Sequence, residues 1–207
     1  MPKIPYIKKR WSQIYDLDEW FAECMGGEGT AATACTDDLR FPSTGINPPG
    51  QASDPDRDLT YGAWLFDAAS TEIIAVNGQM PHAWKEGSPI VPHVHWQKTT
   101  SASGDVLWRL EYIIAPIGEA MSTSFTTLDA TTTVAGTPDN NTANEHLITS
   151  FGSVDMTGYE ISDMIICKLS RIGGDASDTY GADARLLEFD IHYTLDGIGS
   201  LAEFSKG

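Results

Sequence analysis

The chain has few cysteines, few positive charges and no long apolar run, and each shortage removes a class of function. Its three cysteines, Cys24, Cys35 and Cys167, contain no C-x-x-C pair. Structural zinc sites draw on closely spaced thiolate pairs, and an odd count leaves one thiol over in any intramolecular scheme, so neither a zinc knuckle nor a disulfide framework is expected. Lys and Arg number 13 against 29 Asp and Glu, for a formal net charge of -16. Affinity for nucleic acid rests on clustered Lys and Arg that displace counterions from phosphates, so this balance argues against a nucleic-acid partner. The same acidity keeps crowded copies soluble until they dock specifically, although acidic surfaces are also common without any such role. No segment approaches the ~20 apolar residues of a membrane-spanning helix. The basic start, with Lys3, Lys8, Lys9 and Arg10, is not followed by the apolar stretch of a secretory signal, so the expectation is a protein made in the cytosol with no membrane partner.

Catalytic signatures are missing as well. The chain contains no G-x-S-x-G elbow, no H-E-x-x-H, no G-x-x-x-x-G-K-[ST] and no dinucleotide G-x-G-x-x-G after a strand. The glycine-rich stretch from Gly26 to Gly29 lacks the Lys that a phosphate loop requires, which leaves flexibility as its use. No enzyme activity, catalytic residue or cofactor is therefore expected.

What is present is an ordinary globular composition, 41% hydrophobic and 20% charged, with six Trp, seven Tyr and seven Phe to build a core or an interface. Residues 1–58 read as an N-terminal arm and linker. Within them Trp11, Ile14, Tyr15, Leu17, Trp20 and Phe21 recur mostly at steps of three or four, the spacing of one short amphipathic helix. Pro48-Pro49-Gly50 and Asp54-Pro55-Asp56 then mark turns. Residues 59–207 carry the punctuation of an all-β domain, with short apolar or alternating runs near 62–67, 72–77, 80–84, 90–99, 105–115, 123–134, 145–151, 162–171 and 183–195. So many short strands without intervening helices favour a jelly-roll-like antiparallel β-sandwich.

Two runs show the period of a half-buried strand. Val106, Trp108, Leu110, Tyr112 and Ile114 share one face, with Arg109 and Glu111 on the other. Leu187, Phe189, Ile191, Tyr193 and Leu195 likewise oppose Glu188, Asp190, His192 and Thr194. The run from Met164 to Leu169 is apolar on both faces, as in a central strand, whereas the Thr-rich 122–137 reads equally as an exposed strand or a loop.

His93 and His95 stand two residues apart, so on a strand both project from one face and can share a metal ion. With Gly87 ahead of them they match the opening of a cupin motif. The match fails afterwards, because Thr99 and Thr100 stand where a cupin supplies Glu. His192 and His146 are the available further ligands, but spacing alone shows two ligands where a metal needs three or four, so no metal site is assigned. The competing reading places His93, His95, Gln97, Arg109, Glu111, Glu188, Asp190 and His192 on polar faces of neighbouring strands, either solvated or bonded across subunits around a trimer axis. Asp54, Asp56 and Asp58 resemble half a calcium loop, but Leu59 and Leu65 occupy the positions of its Gly and Glu, which leaves a solvated acidic loop.

The ordered series Met80-Pro-His-Ala-Trp-Lys-Glu-Gly87, Pro92-His-Val-His-Trp96, Val106-Leu-Trp-Arg-Leu-Glu-Tyr112, Ile166-Cys-Lys-Leu-Ser-Arg-Ile-Gly173, Asp178-Thr-Tyr180 and Leu187-Glu-Phe-Asp-Ile-His-Tyr193 resembles a family of tailed-phage and prophage virion proteins. The resemblance spans roughly residues 78–200. It implies a virion location, as a head decoration, cement or head-fibre protein or as a tail or collar component touching host receptors or glycans. It also implies a homotrimer whose arm grips the major capsid protein or other virion subunits. On that expectation the interface residues are Trp11, Tyr15, Trp20, Phe21, His93, His95, Arg109, Glu111 and His192; aromatic anchors of this kind often dominate interfaces, though packing within the same chain competes for the four in the arm.

Overall fold

Alternating apolar and polar residues, bounded by Gly, Pro, Asp and Ser, leave the chain little choice but strands, and the computed structural model is all-β. It describes residues 35–48, 50–134 and 142–206. The strands are β1 (Thr36–Pro42), β2 (Asp56–Asp58), β3 (Ala63–Phe66), β4 (Thr71–Gln79), β5 (Ile90–Lys98), β6 (Gly104–Ala115), β7 (Thr126–Val134), β8 (His146–Ser150), β9 (Met164–Ile172) and β10 (Ala184–Thr194). A short 3-10 turn over Ser43–Gly45 follows β1.

Two antiparallel sheets result. The first runs β2-β3-β10-β5-β8, with β1 also paired to β10, and the second runs β4-β9-β6-β7. The pairings nest: β6 with β7, β5 with β8, β4 with β9 and β3 with β10. One long antiparallel ribbon has been folded over on itself, which is the jelly roll the strand pattern implied. The twofold apolar run of β9 is explained by its place between β4 and β6. The Thr-rich run forms β7, an exposed edge strand that suits Thr and resists unwanted pairing poorly unless it stays polar.

Between the sheets lies an aromatic core. Trp84, Trp96, Trp108, Phe66, Phe189 and Tyr180 are fully buried. Phe66 meets Trp108 edge to face at 5.1 Å, and the Trp96 indole N–H donates to Thr149 Oγ1 at 2.9 Å, whereas the buried Trp108 indole N–H has no hydrogen-bond partner among the described residues. Cys167 is buried here as a free thiol, and burial pushes its pKa up to about 12. Cys35, at the entry to β1, is disulfide-bonded, and Cys167 is the thiol left over that an odd count requires.

Three details depart from the sequence reading. Strands β1 and β2 lie inside the segment read as arm and linker, so the sandwich already begins at Thr36, with β1 in seven-residue register against β10. Residues 80–84 are not a strand; Trp84 makes only an isolated bridge to Leu195. The register of β10 shifts between Leu186 and Glu188. This bulge switches the buried parity from Ala184 and Leu186 to Phe189, Ile191 and Tyr193, and Leu187 is left partly exposed instead of joining the core.

The loop from 173 to 183 is tied down from within. Arg171, fully buried, forms a two-pronged ion pair with Asp178 at 2.9 and 2.7 Å and donates to the carbonyls of Phe66, Ala182 and Tyr180. Where this loop crosses β6 the backbone of Tyr180 passes so close to Gly104 that a Cβ there would sit 2.6 Å from it, at a φ of +150°. Only glycine fits.

Candidate functional site

The outer face of the first sheet is set by the alternation of β5. Ile90, Val94 and Trp96 turn inward and are fully buried, which sends Val91, His93, His95 and Gln97 outward. The register then chooses their neighbours. On β10, Asp190 lies opposite His93 and Glu188 opposite His95. On β1, Arg40 lies opposite Asp190 and Asp38 opposite His192; on the other side, β8 brings His146 next to Gln97. Four of the five histidines, His93, His95, His146 and His192, thus reach one face, where Asp190 contacts the central two and Asp38 meets His192.

That carboxylate is nearly buried. Asp190 has a side chain 4% exposed, with His93 Nε2 at 2.7 Å from its Oδ1 and His95 Nε2 at 3.3 Å from its Oδ2. In spite of the short distance, Oδ1 has no hydrogen-bond partner of acceptable direction. His93 Nδ1 faces the Val91 carbonyl at 3.3 Å, and His95 Nδ1 lies 2.8 Å from His146 Nε2. The rings of His93 and His95 are 5.1 Å apart, those of His95 and His146 5.0 Å and those of His93 and His192 5.3 Å. At the rim, His192 Nδ1 meets Asp38 Oδ1 at 2.8 Å, and Arg40 grips Glu188 with two bonds of 2.5 and 2.7 Å.

The two central imidazoles are pushed in opposite directions. Contact with Asp190 raises the pKa of His93 against the opposing effect of burial, while burial lowers that of His95, with the Asp190 charge opposing. Two imidazoles and one carboxylate, all with ligand atoms within 4.8 Å of one another, form a group able to hold a metal ion; Asp38, His93 and His192 form a second, overlapping group.

Sequence reasoning brought His93, His95 and His192 to one polar face, and the structure does place them there with Asp190 and Glu188. Arg109 and Glu111 are not their neighbours. Both sit on β6 in the second sheet, where Arg109 pairs with Asp129 of β7 at 2.7 Å and Glu111 stands opposite Lys168 of β9. Trp11, Tyr15, Trp20 and Phe21 lie outside the described residues. Gln97 turns to Arg185, which Asp58 also holds at 2.5 Å, and Asp54 caps the turn at Gly50 and Gln51; the aspartates of that loop therefore do not converge. The His-x-His pair points away from the sandwich core rather than into it. Missed altogether were Asp38 and Arg40, although Leu39 and Phe41 packing inward between them have the same period of two.

No family model matches the chain, and no curated protein matches it. Among solved structures it is similar to the CBM35 of Cellvibrio japonicus Abf62, with a TM-score of 0.42 and 9% identity over 75% of this chain and 92% of that one. It is also similar to the Cry4Aa mosquito-larvicidal toxin of Bacillus thuringiensis, with a TM-score of 0.43 and 14% identity over 76% of this chain and 23% of the toxin. The CBM22-1 xylan-binding domain of Paenibacillus barcinonensis Xyn10C follows, at 0.33 and 11% over 80% and 99%. Likenesses this distant carry no inference about function, and the jelly roll rests on the strand order itself.

Proposed function

We propose that the chain is a non-enzymatic structural subunit of a tailed-phage particle, a capsid-associated decoration, cement or head-fibre protein that works as a homotrimer. The motif series from Met80 to Tyr193 supports the virion assignment by resemblance. The observation that carries the structural role is β1: the segment following residues 1–34 is bonded in full register to β10, the strand between β3, β1 and β5. A pull on the N-terminal segment is thereby delivered to the middle of a sheet rather than to a loose linker. Anchoring by such a segment adds binding free energy only to the folded, assembled state.

Apolar surface is available for association. Ile117 and Phe204, each about half exposed, line one hollow beside the end of β6 together with Glu119, Glu160 and Asp163, and Met164 opens the neighbouring β9 opposite Ala115. A few exposed apolar side chains set among acidic ones suit the mixed apolar and polar make-up of a non-obligate subunit contact.

Light scattering on the purified full chain and sedimentation with phage particles test the reading. A trimer that co-sediments, and that loses particle binding but not its sandwich when residues 1–34 are removed, supports it. A monomer, or full binding by the truncated chain, overturns the trimer or the arm respectively. Density for the chain on the tail alone would move it to the tail or collar reading.

A further inference from the structure

We propose that His93 Nε2, His95 Nε2 and the Asp190 carboxylate form a binding site for one zinc-class divalent ion that clips β5 to β10 on the outer face of the first sheet. The inference is independent of the virion reading, since it rests on the electrostatics of three side chains.

A backbone carbonyl can only accept a hydrogen bond, so the contact between His93 Nδ1 and the Val91 carbonyl places the ring proton on Nδ1. In the neutral ring, Nε2 then carries a lone pair, and that lone pair faces Asp190 Oδ1 at 2.7 Å. His95 repeats the arrangement. In the tautomer whose Nδ1–H donates to His146 Nε2 at 2.8 Å, its own Nε2 lone pair faces Asp190 Oδ2 at 3.3 Å; in the other, Nε2–H donates to that oxygen. Acceptor meets acceptor at Oδ1 when His93 is neutral, and at Oδ2 as well in the first His95 tautomer, around a carboxylate that is nearly buried and whose Oδ1 has no well-directed donor. Such a contact costs free energy unless a cation lies between the groups. One proton relieves one of the two contacts; a divalent ion relieves both.

The dimensions suit the ion. Ligand atoms ~2.0–2.2 Å from a tetrahedral zinc lie roughly 3.4 Å from one another. The Nε2 to Oδ2 separation of 3.3 Å is close to this, and the 2.7 Å separation reaches it by a small turn of the carboxylate. Two imidazoles with one carboxylate select a first-row ion such as zinc over calcium or magnesium, which prefer all-oxygen shells. The Val91 carbonyl and His146 fill the supporting role seen around metal-bound histidines, fixing the ring by its other nitrogen. The His95 side chain is 24% exposed, so a fourth position opens to water. The overlapping group of Asp38, His93 and His192 is the poorer site: the Asp38 and His192 side chains are 35% and 43% exposed, so water solvates them more fully than it does Asp190.

The test is titration of the full chain, purified without a histidine tag and stripped with chelator, with zinc chloride by calorimetry, joined to elemental analysis after dialysis and to thermal melts. One ion per chain and a raised melting temperature are expected. His95→Ala and Asp190→Asn, checked for fold by circular dichroism, should each lose at least about tenfold in zinc affinity, His146→Ala about tenfold, and His192→Ala almost nothing. Failure to retain stoichiometric zinc, a preference for magnesium or calcium, or unchanged affinity in His95→Ala and Asp190→Asn would overturn the site. So would a loss in His192→Ala as large as that in His95→Ala, because the ion would then sit in the rim group. Replacement of zinc by cobalt(II) gives a visible spectrum that must vanish in Asp190→Asn even if that variant keeps its melting temperature.

Discussion

Arg171 and Asp190 are both charged, both nearly or wholly buried, and treated in opposite ways by the fold. Around Arg171 every neighbour accepts: the two carboxylate oxygens of Asp178 and the carbonyls of Phe66, Tyr180 and Ala182. Around Asp190 the nearest nitrogens present lone pairs as readily as protons, and one oxygen lacks a directed donor. A saturated centre of the first kind holds structure, because its charge has nothing further to gain from outside. An unsaturated centre of the second kind retains an appetite for a cation. The chain thus separates support from recognition: the first cluster binds the loop after β9 to β3, and the second opens on the outer face of the first sheet.

The largest expected effect lies at the saturated centre. Arg171→Met leaves Asp178 buried with a charge and without its ion-pair partner, although Leu107 N–H still donates to it. Breaking one side of a buried pair costs about 3–5 kcal/mol, so urea unfolding should show a loss of that size. Replacing both partners, Arg171→Met with Asp178→Leu, should recover part of it, since two apolar side chains leave no orphaned charge. A loss under ~1 kcal/mol for the single change would erase the contrast between the two clusters.

At the unsaturated centre the effect without metal should be far smaller. Asp190→Asn removes a charge from a nearly buried position, which is favourable, and weakens its contact with His93, which is not. The two changes oppose each other, so chelator-treated protein should shift by no more than about 1 kcal/mol in either direction. A loss matching that of Arg171→Met would show that Asp190 is as saturated as Asp178, and the distinction would collapse.

The difference between the clusters also marks how far the sequence could be read. The strands were visible because alternation is local: Val106 to Ile114 and Phe189 to Tyr193 show their faces within one run. His93 and His95 were visible as a pair for the same reason. Their third partner was not fixed, since Asp190 reaches them only through the pairing of β10 with β5, which no local spacing encodes. The same long-range pairing put Arg109 and Glu111 on the other sheet. Strand β1 was hidden by the turn residues after it, and the bulge at Leu187 by an alternation that runs through it without a Gly or Pro to mark the shift.

The smallest effect belongs to a third kind of charge pair, the exposed one. Arg109 and Asp129 face each other across the edge of the second sheet with two bonds of 2.7 Å, but their side chains are 37% and 42% exposed. The Arg109 hydrogen bond holds the Asp129 carboxyl below its ordinary range, against a weaker opposing effect of burial. A depressed folded-state pKa contributes stability that is present above the unfolded value, near ~3.9, and is lost as pH falls through the folded value. Water screens the pair, so the contribution is held to about 0.2–1 kcal/mol. Asp129→Asn should therefore differ from the parent by that amount at pH 7, and the difference should fade below pH ~3.9 as the parent's carboxyl is protonated. A difference that persisted unchanged in acid would have to come from β7 edge packing, and the ordering from saturated to unsaturated to exposed charge would lose its lowest rung.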